Sequence, residues 1–288
     1  MKIAIIGGTG KMGRWSASYL KQEGHEVVIT GRHPDKLAAA SKELGVKGAS
    51  NAGAAKLADV IIISLPPGSI ETVARELALV AHPGQIVIDI TSVKTEPLAI
   101  LHRLLKDRLV LGIHPMFGPG AQAISGQNFV LTPTSPEEEI LAGKVKEHLE
   151  VHQARVTVMP PEEHDRLMAV VLGLSHFIAI VAADTLSSSR LDRARAVSST
   201  SFKVLLTLVS SVLSEDPELY SRLQMSFPDI TRVESDFLEK CRTWAKLVAD
   251  RDQAGFARRM QSLKERFEKN DPGFGDAYRE MYRIANSR

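Results

Sequence analysis

Two groups of residues in this chain have the types and the spacing to do chemistry. The first is Gly8-x-Gly10-x-x-Gly13, in GGTGKMGRW, directly after the apolar run IAII. In such a turn Gly8 permits the sharp bend, Gly10 lets the backbone approach a pyrophosphate, and Gly13 lets a helix pack closely on a strand. Thr9, Lys11 and Met12 lie within the same stretch, where a helix N-terminus offers N–H groups and a positive dipole end to phosphates. The second group centres on His114, followed by proline in GIHPMFGPG. Proline holds the residue before it extended. Imidazole titrates near neutrality, so His114 is a candidate base for a substrate hydroxyl. Ser92, in DITSVK, is placed to hydrogen-bond the same hydroxyl.

The turn after the second strand indicates which dinucleotide is expected. In NAD-binding turns an acid at that strand end holds the ribose 2′-OH. Here EVVIT runs into Gly31, Arg32 and His33. Gly31 stands where the acid would be, and Arg32 offers a charge-assisted bond to a 2′-phosphate. NADP is therefore expected, with NAD less favoured. Leu65 and Pro66, in SLPPG, follow another strand and are expected to line the same crevice.

Other polar residues are ambiguous by pattern alone. His176 lies mid-helix in VVLGLSHFIAIVAADTL; such a histidine is a satisfied core residue unless its helix covers the crevice. His164 and Asp165 start that helix, where a carboxylate suits the dipole, and either cap it or serve the site. The nine histidines suggest no metal-ligand spacing beside acids, so no metal is expected. There is no Gly-x-Ser-x-Gly elbow. The lone Cys241 forms no internal disulfide, which fits a reducing compartment.

These residues must be positioned by a scaffold, and the first half of the chain supplies one. Short apolar runs at Lys2–Ile6, Glu26–Thr30, Asp59–Ser64, Gln85–Ile90, Leu109–Ile113 and Asn128–Leu131 read as strands covered on both faces. Helical stretches at Met12–Gln22, Pro34–Leu44, Ser69–Val80 and Glu96–Lys106 separate the early ones. Strand and helix in alternation predict an α/β fold: a doubly wound Rossmann sheet over residues 1–159. From residue 160 to 288 no strand is evident. Helices are expected at Glu162–Ser187, Ala194–Leu213, Pro217–Gln224, Pro228–Ala249, Arg251–Lys269 and Asp276–Ala285.

A net charge of +2 gives no basic excess to attract nucleic acid or an anionic membrane. The longest apolar run, Leu167–Ala183, falls short of the ~20 residues of a membrane span, and reads as a helix buried between protein layers. The N-terminus reads as a strand rather than a signal peptide, so a cytoplasmic protein with a small-molecule substrate is expected.

GGTGKMGRW, SLPPGS, DITSVK, HPMFGPG, EEHDRLMAVVLGLSHF and SEDPELYSRLQM occur in this order and spacing. Together they resemble the prephenate dehydrogenase family, in particular its short archaeal type, over nearly the whole chain. The resemblance implies a Rossmann domain followed by an all-α domain that forms an intertwined homodimer. It implies oxidative decarboxylation of prephenate or arogenate on the route to tyrosine, with hydride transfer to NADP. His114 would take or polarise the hydroxyl proton, Ser92 would assist, and His176 would face the substrate.

One departure stands out. The family carries an arginine just before its D-P-x-L-Y segment, for the ring carboxylate, and here that place holds Ser210 and Ser211. Losing such a pair costs roughly 2–5 kcal/mol if the carboxylate stays buried, unless Arg190, Arg193, Arg195, Arg222 or Lys203 substitutes. Two other readings follow. One is an NADP-binding oxidoreductase for a different small molecule, such as a deazaflavin-linked NADP reductase. The other is a catalytically idle NADP-binding dimer.

Overall fold

A computed structural model describes residues 1–286 of the chain. The chain divides into two compact units, one of Met1–Leu167 and the other from Met168 onward. The first is built on an eight-stranded sheet: β1 (Lys2–Ile6), β2 (Glu26–Thr30), β3 (Lys47–Ala49), β4 (Val60–Ile63), β5 (Ile86–Asp89), β6 (Leu109–Pro115), β7 (Asn128–Thr132) and β8 (Arg155–Val158). The order across the sheet is β3-β2-β1-β4-β5-β6-β7-β8. Neighbours run parallel except β6 and β7, which pair antiparallel with His114 opposite Val130.

The continuous apolar runs become strands because both faces of the sheet are covered. On β1, Ala4 and Ile6 enter one core with Ile61 and Ile63, while Ile3 and Ile5 enter another with Val60 and Ile62. The crossover helices are α1 (Lys11–Gln22), α2 (Pro34–Leu44), α3 (Asn51–Ala55), α4 (Ile70–Ala78) and α5 (Thr95–Leu104). A further helix, α6 (Pro136–Val151), packs Ala142 and Leu149 with Leu111 and Leu131 of β6 and β7. Strand order reverses between β1 and β4, the place where open α/β sheets form a crevice at their carboxyl ends.

Four elements of this unit, β3, α3, β8 and α6, escape the sequence pattern. β3 is only three residues long and β8 alternates with polar residues, so neither forms an apolar run. PEEEILAGKVKEHLEV of α6 is too charged to look like a packed helix. It starts at Ser135, whose hydroxyl accepts the Glu138 N–H at 3.2 Å.

The second unit is helical, as expected from composition: α7 (Pro161–Met168), which belongs to the first unit as far as Leu167, leads through a π-helical turn at Ala169–Leu174 into α8 (Ser175–Ser187). α9 (Leu191–Ala196), α10 (Thr200–Leu213), α11 (Pro217–Gln224), α12 (Ile230–Ala249), α13 (Gln253–Asn270) and α14 (Ala277–Asn286) follow. The expected helix Ala194–Leu213 is two helices, because Ser199 caps α10 by accepting the Phe202 N–H at 3.2 Å.

Two expectations about the long apolar run are corrected. The helical run Pro161–Ser187 spans 27 residues and is long and apolar enough, by length and composition, to cross a membrane. Nor is it buried within the chain: Val170, Val171 and Val181 are 50%, 48% and 41% exposed. A helix apolar all round presents in a single chain the side that its own unit does not cover.

Candidate active site

The glycine turn is packed so tightly that its sequence is sterically dictated. Gly7 has φ +85°, and a Cβ there would run into the Ser64 carbonyl and Leu65. A Cβ on Gly8 would lie 2.5 Å from the Ile29 Cβ, and one on Gly13 would lie 2.5 Å from the Gly7 oxygen. Gly10 is different: its Cβ would meet only the Gly7 oxygen, at 3.4 Å. Packing within the chain does not demand a glycine there, whereas close approach by a ligand does. Gly10 also gives α1 no capping side chain, which leaves the helix N-terminus with its dipole open. Lys11 and Met12 occupy the first turn of that helix. These are the features of a phosphate cradle, and the residues present fit a dinucleotide.

Thr30, buried at the end of β2, holds this turn from beneath, a role the sequence reading missed. Its hydroxyl accepts the Gly7 N–H at 3.2 Å and donates to Asn51 Oδ1 at 2.7 Å. Gly31 follows, and a Cβ there would lie 2.5 Å from the Thr9 methyl. A side chain there, acidic or not, would require Thr9 to shift away from the place where an acid would hold a 2′-hydroxyl. Arg32 and His33 are exposed at the start of α2. Leu65 reaches the glycine turn, while Pro66 is exposed and leads into a short 3-10 turn.

His114 ends β6, only 5% exposed. Its Nδ1 lies 2.8 Å from Nε2 of His164, whose Nδ1 lies 2.7 Å from Asp165 Oδ1. An ionised carboxylate only accepts, so His164 donates from Nδ1 and accepts at Nε2. His114 must then donate from Nδ1, which leaves the lone pair on its Nε2. Burial pushes the His114 pKa well below 6.5, and the Lys94 charge adds to that. The Asp165 carboxyl is opposed by burial but held below its ordinary value by hydrogen bonds from His164, Thr95 and Lys94.

Asp165 is itself fixed by the loop that carries Ser92. Its Oδ1 accepts the Lys94 N–H at 2.8 Å and its Oδ2 the Thr95 N–H at 2.9 Å, at the start of α5. These bonds tie the start of α7 into the first unit, which therefore runs on past the composition break at residue 159. Lys94 is fully buried; its ammonium donates to Asp89 Oδ2 at 2.6 Å and to the Asp89 carbonyl at 3.0 Å. Thr91 donates to the other side of that pair, to Asp89 Oδ2 at 2.9 Å. Ser92 is half-buried on this loop, after β5, whose Asp89 pairs with Gly112 of β6. The sequence shows the type of Lys94, Asp89, His164 and Asp165; nothing in their spacing shows that they meet.

His176 belongs to the second unit, two residues after the π-helical segment. Its ring stands edge-on to Tyr220 at 4.8 Å, and its Nδ1 is buried without a hydrogen-bond partner among the described residues. Burial lowers its pKa from 6.5. The segment before it is shaped by Gly173, where a Cβ would strike Ile230, and whose carbonyl accepts from Gln224 Nε2 at 2.9 Å. Ser210 and Ser211 are exposed on α10. Of the cations considered as substitutes, Arg222 pairs with Glu218 and Arg190 with Asp192.

The expectation of no metal-ligand spacing is also corrected. His148 and His152 are four residues apart at the end of α6 and converge on Glu23.

The family model for the prephenate dehydrogenase nucleotide-binding domain matches residues 16–158, and that for the prephenate dehydrogenase dimerization domain matches residues 160–262. A probable arogenate/prephenate dehydrogenase of Methanocaldococcus jannaschii is 34% identical over 272 residues, covering 93% of this chain and 61% of the relative. The T-protein of Haemophilus influenzae is 27% identical over 288 residues, 99% of this chain and 72% of that protein. The chain thus spans about three fifths of the first relative's length. The crystal structure of prephenate dehydrogenase from A. aeolicus, in complex with hydroxyphenyl propionate and NAD+, superposes with a TM-score of 0.77. It is 20% identical and covers 94% of this chain and 98% of that one, which is a likeness of fold.

Proposed function

We propose, from the premise that the chain belongs to the prephenate dehydrogenase family, that it oxidatively decarboxylates prephenate or arogenate with hydride transfer to a nicotinamide dinucleotide. The observation that carries this reading is the buried row Asp165–His164–His114 at the carboxyl end of the sheet. When bound, the nicotinamide ring supplies the hydride acceptor. The glycine turn and the uncapped start of α1 support binding through Gly8, Thr9, Gly10, Lys11, Met12 and Gly13. NADP is preferred over NAD, because Thr9 occupies the acid's place at Gly31 while Arg32 stands exposed beside it.

The chain's own part in the chemistry is to move a proton. His114 Nε2 takes the proton of the substrate hydroxyl as hydride leaves the carbon that bears it. Loss of carbon dioxide then makes the ring aromatic. A low pKa keeps the ring of His114 neutral, and thus a base, at physiological pH. The row that ends at Asp165 fixes the tautomer and orientation of the His114 ring, as in other carboxylate–imidazole pairs. Ser92 would hydrogen-bond the same hydroxyl, and His176, with its unpartnered nitrogen, would meet the substrate. The exposed apolar side of the helical unit supports a homodimer in the cytoplasm, assembled through that unit.

The test is a four-way assay: prephenate or arogenate, each with NADP or NAD, followed by nicotinamide reduction. Turnover with NADP and one substrate is expected, and identifies the side chain that the enzyme accepts. Silence in all four with NADP still bound would overturn the catalytic reading and favour the idle dimer that the exposed Ser210 and Ser211 suggest.

A further inference from the structure

At the far end of α1 from the glycine turn stands a second cluster that the proposed chemistry does not use. Glu23 caps the carboxyl end of α1, and His148 and His152 lie on the last turn of α6 and at its cap. One ligand atom from each falls within 4.8 Å of the others. Glu23 Oε2 is 3.3 Å from His152 Nε2 and 3.9 Å from His148 Nε2. Nitrogen and oxygen ligands at ~2.0–2.1 Å around a tetrahedral ion stand roughly 3.3–3.4 Å apart, so the cluster needs little adjustment to close on one ion.

Two further observations support a metal rather than an incidental ion pair. The histidines are four residues apart on one helix, the spacing that puts two imidazoles on the same face. His152 Nδ1 is 2.8 Å from the His148 carbonyl. A carbonyl only accepts, so Nδ1 carries the proton, and Nε2 is the ring atom on the Glu23 side. This is the arrangement by which a backbone carbonyl orients a metal-binding imidazole.

We propose that Glu23, His148 and His152 form a site for a borderline divalent cation of the zinc class, which clamps the end of α1 to the end of α6. Two imidazoles and one carboxylate suit zinc better than calcium or magnesium, which favour all-oxygen shells. Three protein ligands leave a position for water. The site is structural and separate from the row at His114. Because α1 begins at the glycine turn, the clamp would steady the same helix whose N-terminus receives the phosphates.

The test uses untagged full-length protein stripped of metal, titrated with Zn(II) by calorimetry and with Co(II) by visible absorption. One ion per chain is expected, with a Co(II) spectrum of low-symmetry, four- or five-coordinate form. His148→Ala and His152→Ala should each weaken Zn(II) binding roughly tenfold or more, and Glu23→Gln should do likewise. Cys241→Ser, which removes the exposed thiol, should leave it unchanged. Zn(II) should raise the melting temperature of the wild type and not of the double histidine variant. Equal Zn(II) affinity in the double variant, or no saturable binding to the wild type, would overturn the proposal. NADP binding measured on the same variants separates this outcome from failure of the dehydrogenase reading, since none of the three residues belongs to the glycine turn.

Discussion

Burial presses the rings of both His114 and His176 below their ordinary pKa, yet the two stand in contrasting surroundings. Around His114 the row is closed at Nδ1: His164 is bonded at both nitrogens, Asp165 accepts two backbone N–H groups, and Lys94 is locked on Asp89. Around His176 a buried nitrogen has no partner among the described residues. The contrast extends to the units that carry them. Strands of the first unit are buried on both faces, whereas the helices of the second show Val170, Val171, Val181 and Leu213 to the outside. A closed polar network fixes the state of a side chain before anything binds. On the proposed reading, substrate completes the open buried nitrogen and a second copy covers the exposed apolar face.

The strongest way to break the contrast is at His114. His114→Asn should cut turnover by about 10²–10⁴-fold while NADP binding, measured by fluorescence or calorimetry, stays as it is. Full turnover would remove His114 from the chemistry. Next is the closed network itself. Lys94→Met strands the buried Asp89 carboxylate, and removing one partner of such a pair costs about 3–5 kcal/mol. Urea unfolding should show that loss; a midpoint equal to the wild type would mean water replaces the ammonium.

The open side yields smaller effects. Val181→Asp puts a charge on the exposed apolar helix, and self-association by light scattering should weaken more than about tenfold, or 1.4 kcal/mol. Unchanged association would place the dimer contact elsewhere. His176→Leu removes a buried nitrogen that nothing satisfies, so the melting temperature should hold or rise while the substrate KM increases. A fall in stability of several kcal/mol would mark His176 as a packing residue instead.

The smallest effect is that of pH. His114 and His176 have folded pKa values below the ordinary 6.5, so the fold favours their neutral forms. Their contribution to stability is present above about pH 6.5 and is lost as the pH falls from there through the folded values. For the same reason kcat/KM should stay level down through pH 6.5 and decline only below it. A decline centred at 6.5 or above would mean that His114 is more solvated than its burial implies.

Local sequence determined what depends on the nearest neighbours. The runs IAII and VIII are buried on both faces and could form little else than parallel strands, and GGTGKMG fits only the backbone of its turn, because a Cβ at Gly8 or Gly13 meets atoms under 3 Å away. His114 and the Gly31–Arg32 turn were legible for the same reason: each sits at the end of such a strand. What the sequence left open are contacts over long separations. That His164 and Asp165 close on His114 and on Lys94, fifty and seventy-one residues away, follows from the packing of α7 against two strand ends. The meeting of Glu23 with His148 and His152 depends on α1 and α6 covering the same face of the sheet. Nor does apolarity say which side of the Pro161–Ser187 helix its own chain covers. Residue type and short spacing decide which chemistry is available, but only the tertiary fold decides which of those groups share a proton, a charge or an ion.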